Sequence, residues 1–129
     1  MESNGLRITP ADAPGGAVLN IGTGRRAVRL ELRPVGRDWL LLITGGRAHL
    51  GAAAVTEPGT EARFVARGRH KEGPLAAGCA QILAEATGTG CAAVAGIHQD
   101  RATAEEIAAL TANATQGAEM LAAWARDQR

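Results

Sequence analysis

The sequence predicts a single α+β domain with a mostly antiparallel sheet, in the order β-β-β-β-α-β-α, and with helices packed on one face. Strand-like segments come first along the chain, and a helix, a strand and a second helix follow them. The length of 129 residues is that of one domain. An apolar fraction of 46% is ordinary for a globular protein.

The N-terminal residues 1–16 are predicted to be a flexible lead-in, because two prolines and a glycine pair fall between residues 10 and 16. The domain itself is expected to occupy residues 17–129. At its start, residues 17–21 favour a short strand that two nearby glycines end.

The clearest local pattern lies at residues 28–33, where apolar and charged residues alternate. This period of two predicts a strand with one buried and one charged face. The apolar run Trp39–Thr44 predicts a second strand that is covered on both faces. A turn sequence at residues 34–38 separates the two segments, so we expect them to pair as an antiparallel hairpin.

Two further strands are predicted before the first helix. Gly45 and Gly46 are expected to break the second strand, and residues 49–56 predict a third. A turn sequence at residues 57–60 separates it from a short fourth strand at residues 62–66.

The first helix is predicted to begin at Pro74, because a missing N–H is harmless in the first turn, and to end at Gly88 and Gly90. The residues at helical spacing that are expected to form its buried face are Leu75, Cys79, Ile82 and Ala86. The apolar segment 91–98 then predicts another strand.

The last helix is predicted from a capping-box sequence, in which Thr103 caps the N-terminus and Glu106 bonds back to it. The residues expected on its buried face are Ile107, Leu110, Leu121 and Trp124. The weak stretch 113–117 leaves two alternatives open, one kinked helix or two consecutive helices.

Composition excludes several classes of protein. The net charge of +1 argues against a nucleic-acid binder, and an aromatic content of 2% leaves no platform for stacking bases. No apolar run approaches the ~20 residues that span a bilayer, and the N-terminus lacks a signal-peptide pattern. We therefore expect a cytoplasmic protein with no nucleic-acid or membrane partner, in which Cys79 and Cys91 are reduced packing thiols.

Small residues dominate the predicted core, since the chain has 17 Gly, abundant Ala and no Tyr. Burying alanine contributes little, because stabilisation scales with apolar area at roughly 25 cal/mol per Å². A small domain of this kind is marginal alone. We therefore expect part of the apolar surface to be buried against a partner or a second copy, in a homodimer or higher homo-oligomer.

The three histidines, His49, His70 and His98, all fall where predicted strands end or begin. Loops at one edge of a sheet converge, so these side chains are expected to share a site. A metal site with three histidines is chemically feasible, but their spacing matches no local metal motif. A metal-free ligand site is therefore favoured over a metal site.

Two segments are candidates for binding an anion. The first is a glycine turn that could cradle an anion with its backbone N–H groups, formed by Thr44, Gly45, Gly46 and Arg47. On its own this motif is more typical of an ordinary hairpin turn. The second is the dense basic cluster of Arg67, Arg69, His70 and Lys71, which is either a solvated loop or a phosphate-capturing one.

No pattern predicts catalytic residues. The chain has no serine elbow and a single serine, Ser3, and its adjacent carboxylates Glu105 and Glu106 are explained by helix capping. The residues therefore indicate a small α+β domain with an edge suited to an anionic ligand.

Three motifs in order resemble one protein family. The segment Leu41–Gly46 followed by His49-Leu50-Gly51 is similar to its strand–TGG–turn–H-[IL]-G motif. Arg69-His70-Lys71 ahead of a helix, and Ala95–His98 followed by a threonine-started helix, are similar to two others. The family is that of the LpdD-like prenylated flavin chaperones, which are accessory subunits of the hydroxyarylic-acid (gallate-type) decarboxylases. The resemblance covers residues 29–124, while residues 1–28 resemble nothing in it.

The resemblance implies a non-catalytic accessory protein that binds prenylated FMN as cargo and assists its delivery to, or maturation in, a UbiD-like aromatic acid decarboxylase, with a flavin prenyltransferase as a further partner. The motif positions that chemistry assigns to the phosphate side are Gly45, Gly46, Arg47, Arg69 and Lys71, and Thr44 is a further cofactor-binding candidate. Those matched to the ring, the ribityl chain or proton handling are His49, His70 and His98.

Two other functions stay open at this point. A structural accessory subunit of the decarboxylase complex would not touch the cofactor at all. A small metal-dependent enzyme would use the three histidines as ligands. Flavin binding by the isolated protein separates the first from a chaperone, and retained metal identifies the second.

Overall fold

The structure, a computed structural model, describes residues 2–3 and 6–128. Residues 1, 4, 5 and 129 belong to the predicted lead-in and the predicted domain and lie outside the described residues. The strands are β1 (Glu2–Ser3), β2 (Leu6–Arg7), β3 (Thr9–Pro10), β4 (Ala17–Ile21), β5 (Val28–Val35), β6 (Asp38–Gly46), β7 (Ala52–Thr56), β8 (Arg63–Ala66) and β9 (Cys91–His98). The helices are α1 (Gly73–Thr87) and α2 (Ala104–Arg126), and a 3-10 turn spans Gly24–Arg26.

Seven strands form one sheet in the order β3-β4-β5-β6-β9-β7-β8, while β1 and β2 pair separately. Only β6 and β9 run parallel among the paired strands of this sheet. This arrangement confirms the predicted α+β class with a mostly antiparallel sheet.

The N-terminal segment joins the fold earlier than predicted. Thr9 pairs with Val18, and Ile8 is buried in the core. The two short strands β2 and β3 therefore lie inside the segment that was expected to be a loose lead-in, because an apolar residue at position 8 anchors it.

The predicted hairpin is confirmed as β5 and β6, which pair antiparallel from Arg29–Thr44 to Val35–Asp38. The prediction that Gly45 and Gly46 break the second strand is wrong. Both glycines pair with β9, opposite Ile97 and His98, so β6 continues to Gly46. A strand can contain glycine where another backbone approaches closely.

Both helices pack on the same face of the sheet, as predicted. Alternate strand residues on this face are buried, including Leu30, Leu41, Ile43, Ala93 and Ala95. Helix α1 lies over β7 and β9, whereas α2 lies over β4 and β5. The small side chains of β7 and β9 allow α1 to approach closely.

The opposite face of the sheet, which we call the open face, carries Leu40, Leu42, Val55, Val65 and Val94. The two leucines and Val94 are half-buried, and Val65 is 78% exposed. The prediction that β6 is covered on both faces is therefore wrong for the described chain, because both described helices lie on the other side.

Helix α1 has the predicted start and stop. Pro74 lies in the first turn, and Gly88 adopts a left-handed conformation with its N–H bonded to the Ala84 carbonyl. Its buried stripe is shifted from the predicted one and consists of Gly73, Ala76, Cys79, Ala80, Leu83 and Ala84. Of the predicted face only Cys79 is fully buried, since the smallest residues turn toward the sheet.

Helix α2 is one continuous helix of 23 residues, which decides between the two alternatives. The predicted capping box is present, with Thr103 and Glu106 bonding each other's backbone N–H at 3.0 and 2.9 Å. The burial predicted for Ile107 is wrong, because this side chain is 55% exposed. Leu110 and Leu121 are buried as expected.

Both cysteines are buried, and burial raises the pKa of the Cys79 and Cys91 thiols to about 12. Thiols of this kind are inert at neutral pH, which agrees with the expected packing role. Neither helix in the described part of the chain combines the length and the apolar content needed to cross a membrane.

Candidate functional site

A cavity of about 500 Å³ lies where the parallel strands β6 and β9 end and where both helices begin. Its size is within the ~300–1,000 Å³ range of small-molecule sites. The lining residues are His49, Arg69, His70, Lys71, Glu72, Leu75, Ile97, His98, Gln99, Ala102, Ile107, Leu110 and Thr111. Five of the nine predicted site residues are among them.

The three histidines meet at this cavity. The ring centre of His49 lies 4.7 Å from that of His70 and 6.3 Å from that of His98. The predicted convergence of the three side chains is therefore confirmed. Their role in binding a ligand stays a prediction.

The central histidine, His49, has a close polar neighbour at each ring nitrogen. Its Nδ1 lies 3.0 Å from the Arg47 carbonyl, which only accepts hydrogen bonds, so Nδ1 carries a hydrogen. Its Nε2 lies 2.8 Å from Oε2 of Glu72. The geometry of this contact is not that of a hydrogen bond, and the buried Nε2 has no hydrogen-bond partner among the described residues.

Glu72 is the main site residue that sequence reasoning missed. Its side chain is mostly buried, and its carboxylate accepts the backbone N–H of Lys71 at 3.1 Å and that of Ile97 at 3.4 Å. These bonds hold the carboxyl group of Glu72 beside His49. The sequence of the loop before α1 does not distinguish Glu72 as a site residue, because many glutamates that precede a helix face solvent.

Two glycines of the sequence motifs make room for this pair. A Cβ at Gly51 would overlap the carboxylate of Glu72, and a Cβ at Gly96 would overlap the backbone of His49. These close approaches explain why glycine occupies both positions.

The basic cluster divides into two parts. Arg69 and Lys71 are exposed and line the cavity mouth. The Nε of Arg67 instead donates to the Leu50 carbonyl at 2.8 Å, and the Arg67 carbonyl lies within hydrogen-bond distance of Nδ1 of His70. Arg67 therefore shapes the loop, and the other two cations face the cavity.

The predicted glycine cradle lies beside the cavity and does not line it. Residues 44–46 belong to strand β6, and the N–H of Arg47 donates to the His98 carbonyl at 2.9 Å. The guanidinium of Arg47 pairs with Asp100 at 3.2 Å. Thr44, Gly45, Gly46 and Arg47 stay a prediction as ligand contacts, while their observed contacts hold β6 to β9 and to the loop after it.

The loop between β9 and α2 is tied down by Asp100. Nε2 of His98 lies 2.8 Å from its carboxylate, and this hydrogen bond, together with the charge of Arg47, lowers the pKa of Asp100 below its usual value. The guanidinium of Arg25 bonds the Asp100 carbonyl and also pairs with Glu106. These contacts place Gln99 and Ala102 at the cavity wall.

The two helix N-termini at the cavity differ in their donors. The capping box occupies the first turn of α2. Helix α1 has no side-chain cap, its N-cap residue is the acidic Glu72, and Pro74 in its first turn has no N–H. The carboxylate of Glu72 therefore already lies at the start of α1, and the cations nearby are Arg69 and Lys71.

Within residues 2–3 and 6–128, no group of three or more histidine, cysteine, aspartate or glutamate side chains is arranged to hold a metal ion. The histidine cluster is instead surrounded by hydrogen-bonded partners from the same loops. The cavity lining combines cationic, imidazole and acidic side chains with aliphatic ones.

These features define a small α+β protein with a ligand-sized cavity at a sheet edge. The sequence model that describes the family "prenylated flavin chaperone LpdD-like domain" matches residues 22–126 of this chain. The chain therefore belongs to this family. A comparison with curated proteins gave no match. The family assignment confirms the resemblance that the motifs indicated.

Proposed function

We propose that this protein is a non-catalytic chaperone that binds prenylated FMN as cargo and assists its delivery to, or maturation in, a UbiD-like aromatic acid decarboxylase. The observation that carries the proposal is a cavity with a cationic mouth and an aliphatic wall in a chain of the prenylated flavin chaperone family. Such a site fits an anionic phosphate joined to a largely apolar ring system.

The phosphate is assigned to the cavity mouth. Arg69 and Lys71 are exposed in the cavity lining and supply positive charge there. An acidic residue, Glu72, also lines the cavity at the start of α1, where its carboxylate contacts His49 and accepts two backbone N–H groups, so the attraction for a phosphate must come from Arg69 and Lys71.

The ring system is assigned to the interior, between the three histidines and the aliphatic wall. The predicted contacts of His49, His70 and His98 with the ring or the ribityl chain are supported by their shared place in the cavity lining and by their short ring distances. No Tyr exists in the chain, and neither Trp lines the cavity, so aliphatic and imidazole groups would contact the ring. Moderate, reversible binding suits a carrier that must release its cargo.

The proposed partners follow from the cargo. A reaction that prenylates FMN must supply it, which makes a flavin prenyltransferase the expected donor, and a UbiD-like decarboxylase is the expected recipient. All three would meet in the cytoplasm. The family name supports this role, in which the decarboxylation chemistry belongs to the partner.

Titration of the isolated protein with prenylated FMN under anaerobic conditions tests the proposal. We expect binding with a shifted absorbance spectrum, and a higher yield of active decarboxylase when the loaded protein is mixed with the apo-enzyme. Retention of the decarboxylase without flavin binding would favour the structural accessory subunit. Stoichiometric metal that survives dialysis and is lost in His98→Ala would favour the metal-dependent enzyme.

Charge variants locate the phosphate in the same titration. We expect the double variant Arg69→Ala/Lys71→Ala to bind at least ~10-fold more weakly, because charged hydrogen bonds contribute about 1.5–3 kcal/mol each. The control is Arg63→Ala, an exposed arginine on the open face and away from the cavity. Equal affinity of the double variant and the control would refute the phosphate assignment.

A further inference from the structure

One wall of the cavity is built from aliphatic side chains, and we call it the apolar wall. It consists of Leu75 from α1, Ile97 from β9, Ala102 from the following loop, and Ile107 and Leu110 from α2. The polar cavity residues lie mainly on the loops that precede α1 and follow β6 and β9. The cavity therefore has two chemically different sides.

Ile107 is the least buried member of the apolar wall. Its side chain is 55% exposed, although its place in the helix sequence predicts burial. Single exposed aliphatic residues are common at protein surfaces and need no explanation by themselves. This one faces a preformed cavity beside the buried Leu110, where a bound apolar group would cover it.

The apolar wall continues beyond the main cavity. A second hollow of about 310 Å³ lies between α1 and α2 and shares Lys71, Leu75 and Thr111 with the first. Ile82 and Gly78 add to its lining, and a Cβ built at Gly78 would meet no atom within 4 Å. An apolar extension of the ligand on this side therefore has room.

We propose that the apolar wall, with Ile107 at its edge, binds the isoprenoid carbons of prenylated FMN and makes the protein select prenylated FMN over plain FMN. This inference rests on the proposed function. The two flavins share the phosphate, the ribityl chain and the polar ring edges, so cationic and histidine contacts bind both alike. Only contacts with the added apolar carbons distinguish the two ligands.

The size of the effect follows from apolar recognition in general. One methylene in a hydrophobic pocket changes affinity about 10–200-fold. A five-carbon isoprenoid unit against the apolar wall therefore gives a preference of at least ~10-fold for prenylated FMN. Replacing Ile107 by serine removes part of this preference and leaves the shared contacts intact.

The test is a titration of the full-length protein with prenylated FMN and with plain FMN as separate probes. For Ile107→Ser we expect roughly 10-fold weaker binding of prenylated FMN and unchanged binding of plain FMN. The conservative variant Ile107→Val retains most of the preference. The control Val65→Ser, which changes an exposed aliphatic residue on the open face, affects neither ligand.

Each other outcome has a defined meaning. Equal affinity of the unmodified protein for the two flavins overturns the inference and leaves flavin binding intact. Equal losses for both flavins in Ile107→Ser, or no loss for either, also overturn it. Absence of binding of both flavins by the unmodified protein overturns the proposed function itself, so the two failures are distinguishable.

Discussion

At the scale of single residues, two glycines make room for the groups that form the histidine side of the site. Gly96 admits the backbone of His49, and Gly51 admits the carboxylate of Glu72. The geometry of the histidine side thus depends on two positions that carry no chemistry themselves. Glycine at both positions is explained by packing and does not require a ligand.

Replacing Gly51 by alanine tests this packing. The new methyl group would overlap the Glu72 carboxylate and approach the Ala95 carbonyl to 2.9 Å, so we expect a loss of about 1–3 kcal/mol in the free energy of unfolding. Thermal or denaturant unfolding measures it.

A double-mutant cycle with Glu72→Ala provides the control. Because the carboxylate is the nearest obstacle, Gly51→Ala should cost less in the Glu72→Ala background than in the unmodified protein. Additive losses in the double variant would show that Gly51 does not make room for Glu72.

At the scale of elements, the glycines of the two helices lie in opposite surroundings. Gly117 of α2 lies against the sheet, where a Cβ would be 2.5 Å from Cδ1 of Leu30. Gly78 of α1 is exposed, with open space around it. Residues 113–117, which weaken the helix pattern in the sequence, therefore form a contact surface. Within them, the side-chain amide of Asn113 donates to the Arg26 carbonyl at 3.0 Å.

The same substitution in the two helices should have opposite effects. Gly78→Ala should raise the free energy of unfolding by about 0.5–1 kcal/mol, because alanine restricts the unfolded chain and favours the helix. Gly117→Ala should lower it by about 1–3 kcal/mol, because overlap with Leu30 outweighs that gain. Denaturant unfolding compares the two variants, and stabilisation by both would contradict the close packing of α2.

The start of α2 should make stability depend on pH. The hydrogen bond from Arg25, followed by the one from the Thr103 backbone, lowers the pKa of Glu106 to about 2 from its ordinary 4.5. A lowered pKa means that folding favours the ionised carboxylate. Its contribution is therefore complete above pH 4.5 and is lost as the pH falls toward 2.

The variant Glu106→Gln tests this linkage. We expect it to unfold at a lower temperature than the unmodified protein at pH 7, with the difference shrinking between pH 4.5 and 2. Glu105→Gln is a matched control, because Glu105 is its exposed neighbour in the same first turn. A constant difference across this pH range would contradict the assignment.

At the scale of the whole molecule, the two helices of the described chain cover one face of the sheet, and the described residues leave the apolar centre of its open face accessible. The expected homodimer or higher homo-oligomer stays a prediction. Sedimentation equilibrium tests it, because a particle mass above the 13.2 kDa of one chain is expected. A mass of 13.2 kDa across micromolar concentrations would rule out a stable homo-oligomer.

Much of the fold could be predicted from local patterns. The alternation at residues 28–33 predicted β5, and the Thr103–Glu106 capping box predicted where α2 begins. The buried side of the helices could not be predicted as well, because alanine-rich helices have little contrast between their faces. Leu75 and Ile107 were accordingly placed in the core, although both line the cavity.

The sequence by itself determined the class of fold and the family, and it named the three histidines and the two cations among a larger set of site candidates, because these depend on local periodicity and on residue types in a fixed order. Only the tertiary structure decided which candidates line the cavity, that Glu72 contacts His49, that Gly45 and Gly46 extend β6, and that aliphatic side chains share the cavity with the histidines. These features arise from contacts between elements far apart in the chain, such as the parallel pairing of β6 with β9, which no local pattern encodes.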